Sequence, residues 1–264
     1  MDADQAPSPN FNDRKHPVDM LVLHYTGMES GDAALARMCD PAAEVSAHYM
    51  VWEDGRITQL VAEDKRAWHA GVSSWQGDDD LNSRSIGIEI VNGGHDVPLP
   101  DGTLPPYPDQ QITALIALCQ GVLARHAIPA DRVVAHSDIA PTRKTDPGEH
   151  FPWARLAAAG IGLSPVSGDA MAATDELSTG HTGAQVSALQ HALKAIGYRL
   201  EASGTYDAAT RLVVCAFQRR WLPDRLTGNA DRNTLARVRD VYAAVTASSG
   251  PPSSASSSSA SRPS

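Results

Sequence analysis

The hydrophobic pattern divides the chain into two kinds of sequence. In the first, short apolar runs end in turn residues. Met20-Leu21-Val22-Leu23 closes at His24-Tyr25-Thr26-Gly27 and predicts a buried strand. Ser85-Ile86-Gly87-Ile88-Glu89-Ile90-Val91 predicts another, with one carboxylate, Glu89, set among β-branched neighbours. Arg132-Val133-Val134-Ala135 predicts a third, ending at His136. Segments 45–52 and 56–61 flank Glu53-Asp54-Gly55, a hairpin signal. Two helical stretches interleave with the strands. One covers 32–38; the other is opened by Pro108, after which Ile112, Leu115, Leu118, Cys119 and Val122 share a face. Strands mixed with helices predict an α/β unit over 17–162, a mixed central β-sheet flanked by helices.

The second kind of sequence follows a small, polar stretch, SPVSGDAMAATD, which reads as a linker over 163–175. Beyond it, Thr182 and Gln185 make a capping-box pattern before Val186, Leu189, Leu193 and Ile196, and Gly197 ends that helix. Asp207 and Asp231 stand where they can cap two further helices. The expectation is a small three-helix domain over 176–245, held on a flexible joint and acting as a tether. The arm over 1–16 is polar. The tail over 246–264, rich in serine and proline, cannot bury a core and is expected to be disordered.

Composition narrows the function classes. The chain has 264 residues, 42% hydrophobic, enough for two domains. No stretch approaches the roughly 20 apolar residues of a membrane span. The opening MDADQAPSPNFNDRKH lacks the apolar middle of a signal peptide, so either export by that route is absent or a leader has been removed. Lys and Arg total 22 against 31 Asp and Glu, a formal charge of −9, with no basic run. That sets nucleic-acid binding aside. Cys39, Cys119 and Cys215 are far apart and odd in number, so they read as packing residues and not as a disulfide framework.

The chemistry gathers at strand ends. His24 ends one strand and His136 another, and Asp146 follows ten residues after His136 in a loop stiffened by Pro141 and Pro147. Lys144 sits two residues before Asp146. A strand-end histidine followed by a loop aspartate is commonly a structural capping pair. Two imidazoles and a carboxylate are equally a three-ligand zinc set that leaves a fourth position for water. Spacing alone leaves both readings open.

The segments LVLHYTG, VSAHYMV, RAWHAG, LNSRSIGIEIVN and VVAHSDIAPTRKTDPG, in that order, resemble the N-acetylmuramoyl-L-alanine amidases of the type-2 amidase (AmpD/AmiD-like) family. The resemblance runs from about Pro17 to Gly162. It implies a peptidoglycan recognition protein-like fold and Zn2+ held by His24, His136 and Asp146. It also implies Glu89 as the carboxylate assisting water, with Lys144 steadying the oxyanion of a tetrahedral intermediate. The substrate implied is peptidoglycan or its muropeptides. The resemblance also places His69 in the cleft and Asn82 and Arg143 near the peptide-binding groove, with Trp68, beside His69, able to stack on sugar and Arg143 able to grip a stem-peptide carboxylate. His48, two residues from Met50 on an alternating strand, either points into the cleft to contact substrate or packs. His16, His95, His126, His150, His181 and His191 are expected at the surface, and Trp75 in the loop before the Glu89 strand.

The later segments VSALQHALKAIGY, GTYDAATRLVVCAFQRRW and LTGNADRNTLARV resemble the peptidoglycan-binding domain 1 family over about 176–245. Trp221-Leu222-Pro223-Asp224-Arg225 departs from that pattern, which usually has a glycine-containing turn there. A wall-binding module places the protein in the cell envelope, in the periplasm; the polar N-terminus favours the cytoplasm instead. Two rival readings remain. A non-catalytic wall receptor on this fold would have lost Glu89 or a ligand, and neither is lost. A cysteine amidase needs an activated thiolate beside a base, whereas Cys119 lies on an apolar helix face and Cys39 in a plain turn.

Overall fold

A computed structural model describes residues 3–169 and 175–248. Among the described residues eight strands form: β1 Asp4–Gln5, β2 Phe11–Asp13, β3 Met20–Tyr25, β4 Tyr49–Val51, β5 Ile57–Gln59, β6 Lys65–Ala67, β7 Ser85–Ile90 and β8 Val133–Ala135. Six of them make one sheet in the order β1-β5-β4-β7-β3-β8, and β2 pairs with β6. Three successive pairings, β4 with β7, β7 with β3 and β3 with β8, are parallel, while the β4–β5 hairpin is antiparallel. The helices are α1 Gly31–Cys39, α2 Leu81–Arg84, α3 Asp109–Arg125, α4 His136–Ile139, α5 Trp153–Ala158, α6 Ala184–Ile196, α7 Ala208–Trp221 and α8 Arg232–Ser248.

Side-chain alternation along the strands decides what each sheet face holds. Leu21 and Leu23 of β3, with Ile86, Ile88 and Ile90 of β7, pack against the apolar stripe of α3. Their alternates, Met20 and Val22 of β3, face the other way and join Val134, Trp75 and Leu81. His24 and Glu89 continue that second series at the carboxyl ends of their strands.

The same second core takes in Val186, Leu193, Ile196, Tyr198, Val213 and Phe217 of the helical module. The three helices therefore share a hydrophobic core with the α/β unit, contrary to a module on a flexible joint. Gly197 lies against the Trp75 indole, where an added methyl group would come within 2.5 Å of the ring. Trp75 is buried and meets the Tyr198 ring edge-on, with ring centres 5.0 Å apart. A linker of small polar residues is compatible with mobility, but a glycine-bounded face matched to a tryptophan fixes the docking. Residues 170–174 of that linker lie outside the described residues, as does the tail from 249 onward.

The N-terminal arm adds strands of its own, and one further expectation needs correction. The polar arm over 1–16 is paired: β1 adds to the sheet edge beside β5, and β2 pairs with β6. The buried Asn10 amide donates to the carbonyls of Asp40 and Val45, at 2.8 and 2.9 Å. The capping box at Thr182 does not form, because α6 begins one residue later behind Gly183. Thr182 pairs instead with Thr205. Asp207 and Asp231 do cap, accepting from the amides of Thr210 and Thr234 at 2.8 Å each.

Candidate active site

Strand register builds the centre of the site. Glu89 on β7 is the direct partner of His24 on β3, and Ala135 on β8 is the partner of Leu23. The next residue, His136, opens α4, so its ring arrives beside His24. The loop after α4 is pinned where Ser137 N–H donates to the Asp146 carbonyl, at 3.0 Å, and where Tyr25 and Thr145 hydroxyls meet at 2.9 Å. As a result His24 Nδ1, His136 Nδ1 and Asp146 Oδ2 form a buried triangle with edges of 2.9, 3.1 and 3.0 Å.

The proton positions around this triangle follow from an outer chain of hydrogen bonds. The Leu81 carbonyl can only accept, so the Ser85 hydroxyl donates to it, at 2.6 Å. Ser85 Oγ therefore accepts from His69 Nε2, at 3.1 Å. Burial, with His24 and His48 nearby, holds the His69 pKa well below its ordinary value, so the ring is neutral and its Nδ1 accepts. His24 Nε2 donates to that atom at 3.0 Å. Burial and then the neighbouring His136 lower the His24 pKa to about 4, leaving one proton on the ring. That proton is on Nε2, and Nδ1 presents a bare lone pair to the triangle. His136 is oriented in the same sense, its Nε2 set 3.3 Å from the accepting carbonyl of Ala70. Three electron-pair donors thus converge, the arrangement expected of metal ligands, and these three residues form a possible metal-holding group. A tetrahedral zinc ion with bonds of about 2.1 Å wants its ligands about 3.4 Å apart, so the residues fit with a small opening of the triangle.

A cleft of about 420 Å3 opens over this group and is lined also by Glu89, Lys144, Arg143 and His69. Glu89 Oε2 is shut from solvent and has no hydrogen-bond partner. Burial first, and then the Asp146 charge, push the Glu89 pKa well above the carboxylate range, with Lys144 opposing. A carboxylate with one oxygen buried and unpartnered beside a cleft is costly for folding and informative about function.

Of the residues expected to touch substrate, the cleft contains His69 and Arg143. His69 has both ring nitrogens engaged by His24 and Ser85, so it orients a neighbour. Arg143 reaches the cleft while its guanidinium holds the carbonyls of Ala70 and Val72, at 2.6 and 2.7 Å. The other three lie elsewhere. His48 is fully buried, its Nδ1 accepting from Gly87 N–H at 2.9 Å and its Nε2 2.7 Å from Arg14. Trp68 donates to Asn12 of the N-terminal arm, at 3.0 Å. Asn82 Oδ1 accepts from the amides of His69 and Ala70, at 2.9 and 2.7 Å, shaping the segment that carries His69. His95 and His150 also depart from the surface expectation. His95 bridges Tyr25 and Glu149, and His150 stacks on Tyr107. Sequence reasoning missed Tyr25, Ser85, Gly87 and Asp138. Gly87 carried a readable sign: a glycine inside an otherwise β-branched strand marks a close approach, here of the His69 ring.

A sheet whose strand ends deliver two histidines and a glutamate, joined by a loop aspartate, into one cleft defines a hydrolase-like centre. The chain belongs to the N-acetylmuramoyl-L-alanine amidase family: that family's model matches residues 14–149, and a peptidoglycan binding domain model matches residues 182–238. The N-acetylmuramoyl-L-alanine amidase AmiD of Escherichia coli (strain K12) is 40% identical over 228 residues, covering 83% of this chain and 80% of its own. The 1,6-anhydro-N-acetylmuramyl-L-alanine amidase AmpD of Enterobacter cloacae is 38% identical over 178 residues, 59% of this chain and 89% of its own. Among solved structures, that of E. coli AmiD in complex with the substrate anhydro-N-acetylmuramic acid-L-Ala-D-gamma-Glu-L-Lys superposes with a TM-score of 0.72 at 36% identity. It covers 89% of this chain and 90% of its own. The structure of AmpDh3 from Pseudomonas aeruginosa with anhydromuramic pentapeptide gives a TM-score of 0.67 at 33% identity, over 84% and 90%. Among the described residues no helix is long and apolar enough to cross a membrane.

Proposed function

We propose that the chain is a zinc-dependent amidase that hydrolyses the bond between N-acetylmuramic acid and L-alanine in peptidoglycan or its muropeptides. The observation that carries the metal half of this reading is the triangle: Nδ1 of His24 and Nδ1 of His136 lie 2.9 Å apart, with a carboxylate oxygen of Asp146 3.0 Å from His136, a buried cluster of donor atoms that a cation would make favourable. His24, His136 and Asp146 hold zinc, and zinc in such a set polarises carbonyls and lowers the pKa of water to about 7. Relatives of the same fold, solved with muropeptides, support the substrate half.

The chain's own residues divide the remaining work. Attack of water on the lactyl carbonyl carbon forms a C–O bond and releases a proton. The Glu89 carboxylate, which lines the cleft, takes that proton. As the C–N bond breaks, the same carboxyl returns the proton to the departing alanine nitrogen, and a raised pKa suits both halves of the exchange. Lys144 lines the cleft and offers positive charge to the carbonyl oxygen as it becomes an oxyanion. Arg143, at the exposed side of the cleft, offers charge to the carboxylates of the stem peptide. The receptor reading finds no support, since Glu89 is present and unpartnered.

The test is Glu89→Gln. The variant keeps bound zinc and a cooperative fold but loses about 10²–10⁴-fold in turnover on a soluble muropeptide, the usual worth of a positioned proton-transfer group. Activity within threefold of the parent makes Glu89 structural. The peptidoglycan binding domain match also favours work on the wall, in the cell envelope. Fractionation that finds the native protein wholly in the cytoplasm removes that placement.

A further inference from the structure

The carboxylate of Asp138, on the short helix α4 that His136 begins, is fully buried and receives two of its three hydrogen bonds from the helical module. Tyr198 donates to Oδ1 at 2.6 Å, and Arg220 Nη1 donates to Oδ2 at 2.7 Å. The third donor is Ala135 N–H, at 2.9 Å, immediately before His136. The second arm of the same guanidinium, Arg220 Nη2, reaches the Val133 carbonyl of β8, at 2.8 Å. Arg220 therefore grips the chain on both sides of His136. It is itself held nearly buried, with Trp153 and Trp221 lying 4.2 and 4.6 Å from the guanidinium carbon.

We infer that Arg220 and Tyr198 are positioning residues for the metal centre, so that the helical module is part of the catalytic apparatus and not only an anchor. This rests on the zinc reading above. The route is short. Helix α4 carries His136 directly, and through Ser137 N–H it holds the Asp146 carbonyl at 3.0 Å. Two of the three ligands thus move with α4, and the clamp on Asp138 sets where α4 lies. No residue of the helical module lines the cleft, so the influence runs through the ligands and not through substrate contact. Lysine cannot replace Arg220, because a single ammonium cannot span Val133 and Asp138 with a planar fork.

The test uses the full chain carrying Tyr198→Phe or Arg220→Lys. A control, Arg199→Ala, removes an exposed ion pair to Asp79 at the same domain boundary without touching α4. Zinc affinity is read by chelator competition, protection of α4 by amide hydrogen exchange, and kcat and KM on a soluble anhydro-muropeptide. Tyr198→Phe is expected to weaken zinc binding about tenfold, the lower end of the effect of losing an outer-shell partner. Arg220→Lys weakens it further. Both lose exchange protection over 137–140, keep KM within twofold and unfold cooperatively, and Arg199→Ala matches the parent. Zinc affinity and α4 protection within twofold of the parent in both variants overturn the inference, as does an equal loss in Arg199→Ala. Should the parent bind no zinc, the function reading fails, and the exchange result still decides the clamp.

Discussion

Replacing Gly87 by alanine puts a single methyl group where the structure has no room for one. Built on the backbone, the added carbon lies 2.5 Å from Cδ2 and 2.6 Å from Nδ1 of His69. Carbon contacts settle near 3.5 Å, so the ring has to retreat by about 1 Å. His69 Nδ1 is the acceptor that fixes the proton of His24 on Nε2, over 3.0 Å, and a retreat of that size breaks the bond. His24 is then free to rotate and to present a proton to the triangle. Losing an outer-shell partner of a metal-bound histidine costs about 10–100-fold in metal affinity or activity. Crowding in the sheet adds about 1–3 kcal/mol of destabilisation. Zinc affinity and kcat/KM on a soluble muropeptide, beside a denaturant midpoint, separate the two effects. His69→Ala should reproduce the functional loss without the crowding. A folded Gly87→Ala protein with zinc affinity and kcat/KM both within twofold of the parent refutes the orienting role of His69.

Other outcomes follow from the buried groups. Burial and then Arg14 lower the His48 pKa to about 3, against about 6.5 in the unfolded chain, so between those values the unfolded state binds the extra proton. Stability is therefore lost as pH falls through that window, by about 2 kcal/mol between pH 6.5 and pH 5 from this group. His48→Gln should unfold in urea with a correspondingly shallower pH dependence, and an unchanged slope counts against it. Burial pushes the Cys119 thiol up to about 12 and raises that of Cys39, so neither forms a thiolate near neutral pH. Alkylating reagents should leave amidase activity intact while chelators abolish it, and the reverse pattern revives a cysteine mechanism.

The parts of the fold that were legible are those held by burial. The runs at β3, β7 and β8 are apolar on both faces because helices or loops cover both, and such runs announce themselves. Legible too were the ends of those strands, since His24, Glu89 and His136 interrupt apolar runs. The arm over 1–16 was not legible because its strands pair through backbone groups, which any sequence supplies. Asn82 and His48 were candidate cleft residues, but Asn82 is held by the amides of His69 and Ala70, and His48 by Gly87 N–H and the Arg14 guanidinium, partners that spacing along the chain does not reveal. The docking of the helical module depended on Gly197 meeting Trp75, two residues each already accounted for as a helix stop and a loop aromatic. Asp138 was hidden for the same reason: its partners, Tyr198 and Arg220, lie 60 and 82 residues away.

The central claim is hydrolysis of one particular amide by water at a metal-dependent centre. Digestion of a soluble anhydro-muropeptide in heavy-oxygen water, followed by mass spectrometry of the products, addresses it directly. The account predicts two products, a muramic acid carrying heavy oxygen in its lactyl carboxylate and an unlabelled stem peptide with a free alanine amine. Chelator should abolish both and added zinc restore them. Cleavage at any other bond, label in the stem peptide, or undiminished turnover after complete metal removal contradicts it.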